Sequence, residues 1–595
     1  MTTRPIDTSH IFAPGPIRSA YRMVQPIVEH ALGLSSLWKV YDRVQADSPD
    51  VASFARNSLR ELGVQISFDP ALLKALEQAR GPLLICANHP FGGLEFIALT
   101  LALEEARPGE WKFLGNEIVC SVPELRPRLI PVTPFGERTS RSRENRTAIT
   151  EALQYLKGGG ILGLFPAGRV SFNHDGFKTV CDGPWTPHAP RLAARTGASI
   201  LTIAIPGRNS RFFLSIPNAW RQARAMMLAR EMMHPVERTV RLMLASAYTP
   251  QETTRLYRKA ARPADRLRAD VYVHMDVERC AHSSKKSANK ESHLSEPVDD
   301  SIPRESTLEE VARVRDTARV TEHGDFDLLL ARGDCIPALL QDLGARRELT
   351  FRLAGQGTEQ ARDVSPEDAY YHHLILWDRI AGQIAGAYRV GIVREILAEH
   401  GAAGLYLDHI FDIHPDFYLQ VGSSFELSRS FVMPDYQRDN RALAGLWKGL
   451  ASAAIKYDAH TFFGSVTISN AHHPVSRSLL VAFLQRQYAD DPDFTRRVRA
   501  RTPFAHTTNY HELVADAYAD ATIDALEPIV RRIEHEERGI PPLMRYYCAL
   551  GAKYSAYHVE PTFQDALYCL LRVDLETIPA AYKRRFLGSQ VNRAQ

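Results

Sequence analysis

A histidine and a glutamate six positions apart, His89 and Glu95, bracket a glycine pair in the string Asn88-His89-Pro90-Phe91-Gly92-Gly93-Leu94-Glu95. An imidazole whose far nitrogen is held by a carboxylate acts as a general base toward a hydroxyl, because the carboxylate selects the tautomer and stabilises the imidazolium that forms. The same residues also suit a polar turn with no chemistry. A second turn, Phe165-Pro166-Ala167-Gly168-Arg169-Val170-Ser171, adds a flexible glycine and a cation, and a third loop, Gly207-Arg208-Asn209-Ser210, is polar throughout. Further along, Arg389, Glu426 and Arg429 offer either a carboxylate clamp and a base or a buried ion pair between strands. Glu426 and Arg429 are three apart on an expected strand, so both look into one cleft only if that strand is bulged.

These side chains need strands to hold them. Pro82–Ala87, Gly160–Phe165 and Ser199–Ile205 are short apolar runs of buried-strand length, separated by helical patterns at Arg143–Lys157 and Pro187–Thr196. Each run ends at one of the three turns, which is where an open α/β sheet places its chemistry. A second set of strands is expected at His373–Trp377, Ile384–Val390, Phe425–Val432 and Thr461–Ile468, with a helix over Arg441–Tyr457. The fold class is therefore α/β in two domains, the first with a mainly parallel sheet.

The 595 residues exceed what one hydrophobic core serves, and Ala281–Ser306, rich in serine and charge, reads as a flexible linker. The expected division is a helical, interfacial extension over 1–50, a first catalytic domain over 51–260, a linker over 275–310 and a second domain over 311–595. With 72 Lys and Arg against 69 Asp and Glu, the net charge of +3 argues against nucleic acid as a partner. Seven scattered cysteines without a Cys-x-x-Cys spacing point to a reducing compartment and no structural metal. His472-His473 reads as a loop pair for the same lack of further ligands. No apolar stretch reaches the roughly 20 residues of a membrane helix, and Met1–Pro16 lacks the apolar core of a signal peptide. Trp220–Met233 (WRQARAMMLAREMM) suits either a lipid interface or a helix packed on its own domain.

The three turns in order resemble the glycerolipid and lysophospholipid acyltransferase superfamily, over roughly Gly81 to Phe213. The resemblance implies that His89 deprotonates an acceptor hydroxyl and Glu95 orients it. It implies that Phe165, Pro166, Gly168 and Arg169, with Arg208 and Asn209, bind the anionic acceptor. Most of that superfamily has four residues between the His and an Asp; here five intervene and the acid is Glu, a form similar to the amino-acid-lipid branch. Ala167 stands where many members have Glu.

The second half, from about Leu349 to Asn470, is similar to the N-acyltransferases that make lyso-ornithine lipid and to the wider GNAT fold. The motifs are Asp368-Ala369-Tyr370-Tyr371-His372-His373, Gly386-Ala387-Tyr388-Arg389, Phe425–Val432 and Asp435-Tyr436-Gln437. The resemblance implies Glu426 as catalytic residue and Arg389 and Arg429 as amino-acid-binding residues. Gln437, Arg438 and Arg441 would receive the donor's phosphopantetheine at a helix start, without the glycines of the usual pyrophosphate loop. It further implies acyl carrier protein as donor, with coenzyme A as the alternative carrier, and no tightly bound cofactor.

Together the halves resemble a bacterial bifunctional ornithine-lipid synthase. The second half would join a 3-hydroxyacyl group to an amino acid, ornithine or a similar one, and the first half would then acylate the new hydroxyl of that lyso-lipid. Such an enzyme would be cytoplasmic and peripheral on the inner membrane surface. Two other readings are a lysophospholipid acyltransferase with a non-catalytic second half, and a non-enzymatic hemolysin-like membrane protein.

Overall fold

The structure is a computed structural model that describes residues 15–117, 119–132, 138–173, 179–217, 220–284, 296–299, 301–438 and 440–587. Its contacts form two compact units, Met1–Ser283 with Asn509–Ala521, and Ser284–Thr508 with Thr522–Gln595. Residues 509–521 thus depart from a simple division at 281–306: the buried carboxylate of Asp276 accepts the N–H groups of Asn509 and Tyr510 and holds that stretch in the first unit. Of the expected linker 275–310, residues 285–295 and 300 lie outside the described residues, and helices Pro263–Ser284 and Arg304–Ala318 occupy its two ends.

The first unit contains β1 (Gln65–Phe68), β2 (Leu83–Ala87), β3 (Trp111–Asn116), β4 (Leu129–Val132), β5 (Ile161–Leu164), β6 (Phe172–Asn173), β7 (Val180–Cys181), β8 (Ser199–Ala204) and β9 (Thr239–Tyr248). Seven of these form one sheet in the order β1-β9-β8-β2-β5-β3-β4, parallel throughout except between β8 and β9. The three apolar runs expected as strands are β2, β5 and β8, and they lie side by side at the sheet's centre, so their carboxyl ends, and the three turns, converge. Every residue of β2 and β5 is buried, as expected of central parallel strands covered on both faces. Helix Leu94–Ala106, apolar almost all round and buried over its first ten residues, packs in the core with Leu59, Leu72 and Trp111. Among the described residues no helix is long and apolar enough to cross a membrane.

The second unit contains β10 (Arg319–His323), β11 (Phe326–Arg332), β12 (His372–Asp378), β13 (Gln383–Ile392), β14 (Phe411–Ile413), β15 (Ser424–Val432), β16 (Thr461–Ile468), β17 (Val498–Ala500), β18 (Lys553–Glu560) and β19 (Ala566–Asp574). Eight strands form a sheet in the order β10-β11-β12-β13-β15-β16-β19-β18, antiparallel except for β15 and β16. That parallel pair is in register only over Ser424–Leu427 and Thr461–Gly464, beyond which the strands part. Opposite the same point, Ala387 faces Phe431 while Arg389 faces Ser428, so Tyr388 stands against both Arg429 and Ser430. This is a β-bulge, and Arg429 within it adopts a left-handed φ of 50°.

Candidate active site

In the first unit, β2 delivers Asn88 and His89 to the carboxyl edge of the sheet. The Asn88 amide donates to the carbonyl of Ile205 and accepts its N–H, both at 2.8 Å, which locks the end of β2 to the end of β8. The chain then turns sharply so that helix Leu94–Ala106 can start with Glu95 in its first turn. Gly92 is required there on two counts. Its φ is 94°, and a Cβ would lie 2.6 Å from Leu228 Cδ2 and 2.9 Å from Val170 Cγ2.

Glu95 is fully buried and saturated. Its Oε1 lies 2.7 Å from His89 Nδ1 and accepts the N–H groups of Phe91 at 2.9 Å and Gly92 at 2.8 Å, while Oε2 accepts that of Gly93 at 3.0 Å. Burial pushes the carboxyl's pKa up, but the histidine and the backbone donors outweigh it and hold it below the usual carboxylate range. An ionised Glu95 can only accept, so His89 carries its proton on Nδ1 and presents Nε2 as the lone-pair base. The extra residue between His and acid is absorbed by the Gly92-Gly93 turn, and the longer Glu side chain restores contact. Phe165, at the end of β5, stacks on the imidazole with centroids 4.1 Å apart and rings 14° from parallel.

The block after β5 binds this turn from below. Gly168, at φ 63°, closes it with a bond from its N–H to the Phe165 carbonyl, buried Pro166 accepts from Thr186 N–H, and Ser171 N–H donates to the His89 carbonyl at 2.8 Å. Asp182, which the sequence reading missed, joins both. Its Oδ1 accepts His89 N–H at 3.2 Å and the Ser171 hydroxyl at 2.6 Å, and its Oδ2 accepts Trp185 Nε1–H at 2.9 Å. Burial raises its pKa.

Arg169 lies over the Phe172 ring at 4.6 Å, and Arg224 lies over Phe213 at 4.7 Å and Phe172 at 5.7 Å. Arg224 is 8% exposed, and its pKa is lowered by burial and by the nearby Arg169 charge. A pair of guanidiniums about one aromatic ring attracts an anion. Arg208 is exposed, whereas Asn209 is buried and donates to the Phe91 carbonyl at 3.2 Å, which makes it a brace of the turn. Helix Arg221–Met233 packs on its own domain, Leu228 and Met232 closing over Gly92 and Gly93, although Trp220 before it is 64% exposed.

In the second unit the bulge decides what Arg429 meets. Its Nη1 donates to Tyr406 Oη at 2.7 Å and its Nε faces Asp363 at 3.0 Å. Together with Gln356, Ser428, Ser465 and Thr467 it lines a cavity of about 60 Å³ where β15 and β16 part. Arg389, expected as the carboxylate clamp, is instead fully buried. It donates to the hydroxyls of Ser428 and Ser365, lies 3.5 Å from Asp368 and sits 5.0 Å from the Tyr371 ring and 4.6 Å from that of Tyr406. Its pairing partner β15 and the neighbouring Arg347–Asp368 pair at 2.9 Å surround it.

Glu426 is likewise enclosed. It accepts from Tyr371 Oη, Tyr406 N–H and Leu407 N–H, burial raises its pKa, and it holds the start of helix Tyr406–Ile410. It does not line the cavity. Gln437 donates to the Val432 carbonyl, and Arg438 and Arg441 flank the start of helix Asn440–Tyr457. His472 bonds Gly539 and His473 caps helix Pro474–Gln487.

Residues 44–240 match the family described as acyltransferase, and residues 346–448 match the acetyltransferase (GNAT) domain. With a half-buried histidine held by a buried glutamate at the edge of a mainly parallel sheet in the first unit, this is an acyl-transferring enzyme of two α/β domains, acyltransferase then GNAT. Among curated proteins the chain is 33% identical over 227 residues to the glycine N(alpha)-acyltransferase of Phocaeicola vulgatus, covering 36% of this chain and 69% of that protein. It belongs to the family of that acyltransferase. It is 28% identical over 245 residues, 39% of this chain and 72% of the relative, to the protein of the same name in Bacteroides thetaiotaomicron. It is also 27% identical over 148 residues, 24% of this chain and 50% of the relative, to the lyso-glycine lipid O-acyltransferase of Phocaeicola vulgatus.

Proposed function

We propose that the chain makes an amino-acid lipid in two consecutive acyl transfers. The second unit moves a 3-hydroxyacyl group from a thioester donor to the α-amine of an amino acid. The first unit then acylates the 3-hydroxyl of that product. The observation that carries this reading is the His89–Glu95 pair at 2.7 Å, because it leaves His89 Nε2 free to take a hydroxyl proton. The oxygen attacks the donor carbonyl, the thiolate leaves, and the imidazolium returns the proton to the sulfur. The N-acylated intermediate carries both the hydroxyl that His89 needs and a carboxylate that suits Arg169 and Arg224.

Similarity of one chain to an N-acyltransferase and to a lyso-lipid O-acyltransferase supports the order of steps, and both relatives are named for glycine. Arg429 is assigned as anchor of the amino acid's carboxylate, since it lines the cavity between β15 and β16. Among the described residues no carboxylate lines that cavity, and nearby Asp363 is already paired with Arg429, which supports glycine over ornithine, whose second ammonium needs a partner. The cationic start of helix Asn440–Tyr457 supports acyl carrier protein as donor. Met23 and Ile27, 79% and 73% exposed on helix Pro16–Ala31, and Trp220 support contact with the inner face of the cytoplasmic membrane.

Expression of the intact chain in a host without aminolipids tests the proposal by mass spectrometry of extracted lipid. Mono- and diacylated glycine are expected. A change confined to phospholipids, with no N-acylated amino acid, sinks it.

A further inference from the structure

The acid beneath the catalytic turn is itself held by residues from the far end of the chain. Strands β6 and β7 have two residues each, too few to fix the position of Asp182, which follows β7 directly. Asp182 N–H donates to Tyr272 Oη at 2.6 Å. Tyr272, fully buried on helix Pro263–Ser284, packs against the ring of Tyr510 with centroids 4.6 Å apart. Tyr510 Oη donates to the carbonyl of Val180, 330 positions earlier, at 3.4 Å. Its own N–H, with that of Asn509, is bound by Asp276, and Arg266 lies over the ring of Tyr518 at 4.7 Å on the same segment.

Both ends of the short β7 segment are thereby gripped: Val180 through Tyr510, Asp182 through Tyr272. The Asp182 carboxylate passes that position on, since it accepts from the backbone of His89 and the hydroxyl of Ser171. We infer that Tyr510 is a positioning residue for the His89 site, acting through Tyr272 and Asp182, so that the first unit's reaction depends on a segment encoded after most of the second. The inference rests on the reading of that site as an O-acyltransferase.

The test compares the full-length protein with Tyr510→Ala, Tyr272→Phe and Asp520→Ala, the last removing an exposed partner of Arg262 at the other end of the same segment. Transfer to the hydroxyl of a synthetic N-(3-hydroxyacyl)glycine and N-acylation of glycine are measured separately, below the melting temperature of each variant. Displacement of a catalytic group without loss of substrate contacts predicts a fall of about 10-fold or more in kcat for O-acylation by Tyr510→Ala. KM for the hydroxyl acceptor should stay within about 2-fold and N-acylation should not change. Tyr272→Phe should fall in the same sense, because Asp182 N–H loses its acceptor, and Asp520→Ala should match wild type. Wild-type kcat in Tyr510→Ala overturns the inference, as does an equal fall in both activities. If Tyr510→Ala does not fold, wild-type kcat in Tyr272→Phe overturns it and a selective fall supports it. Absence of O-acylation in the wild type itself overturns the underlying reading instead.

Discussion

Oε1 of Glu95 lies 2.7 Å from Nδ1 of His89 while accepting two backbone N–H groups of the turn that separates them. One carboxylate thus sets both the tautomer of the base and the fold of the loop that carries it. General-base chemistry and local structure are inseparable at this site.

Replacement of His89 by Ala removes the proton acceptor and leaves substrate contacts in place. O-acylation should fall by about 100- to 10,000-fold, and the mono-acylated product of the second unit should accumulate. Lipid extracts resolved by mass give the ratio, and a diacylated fraction equal to wild type refutes the assignment.

Glu95 links stability to pH with a definite sign. Its folded pKa is depressed, so the stability it contributes is fully present above the unfolded value of about 4.5 and is lost as pH falls through the lower folded value. Denaturant midpoints should therefore drop more steeply below about pH 4.5 in wild type than in Glu95→Gln. Parallel curves for the two proteins would show that Glu95 is not ionised in the folded protein.

Arg429 and Arg389 should separate in kinetics. Arg429→Lys keeps the charge but loses the planar fork and the bond to Tyr406, so kcat/KM for the amino acid should fall about 10-fold or more even when measured below the variant's melting temperature. Arg389→Lys breaks a buried hydrogen-bonded ion network and should destabilise by about 3 kcal/mol, with near-normal kinetics at low temperature. The reverse pattern would return the carboxylate anchor to Arg389.

Gly92→Ala puts a methyl against Leu228 and Val170 at a φ of 94°. Backbone strain of about 1–3 kcal/mol adds to that clash, so both the melting temperature and O-acylation should fall. Val170→Ala in the same chain should restore part of the loss; no recovery would place the defect in φ and the closer Leu228 contact.

The α/β class, the three strand-ending turns and the His–Glu pair were legible in the sequence because each is local. An apolar run, a glycine turn and a helix start are written in consecutive residues, and the strands β2, β5 and β8 match the expected runs to within a residue or two at each end. The placement of Asp182 was not legible, since it meets His89 across 93 positions and nothing in its neighbourhood marks an acid as buried. The same holds for Asn88, bonded across 117 positions to Ile205, for Arg224 and for Tyr510. In the second unit, spacing alone left open which arginine faces the cavity. A bulge shifts the alternation of side chains along β15, and only strand pairing decides where the extra residue sits. Sequence therefore determined the chemistry available at the sheet edge, and the tertiary structure decided which groups meet there, because register and chain crossing are properties of contacts far apart in the chain.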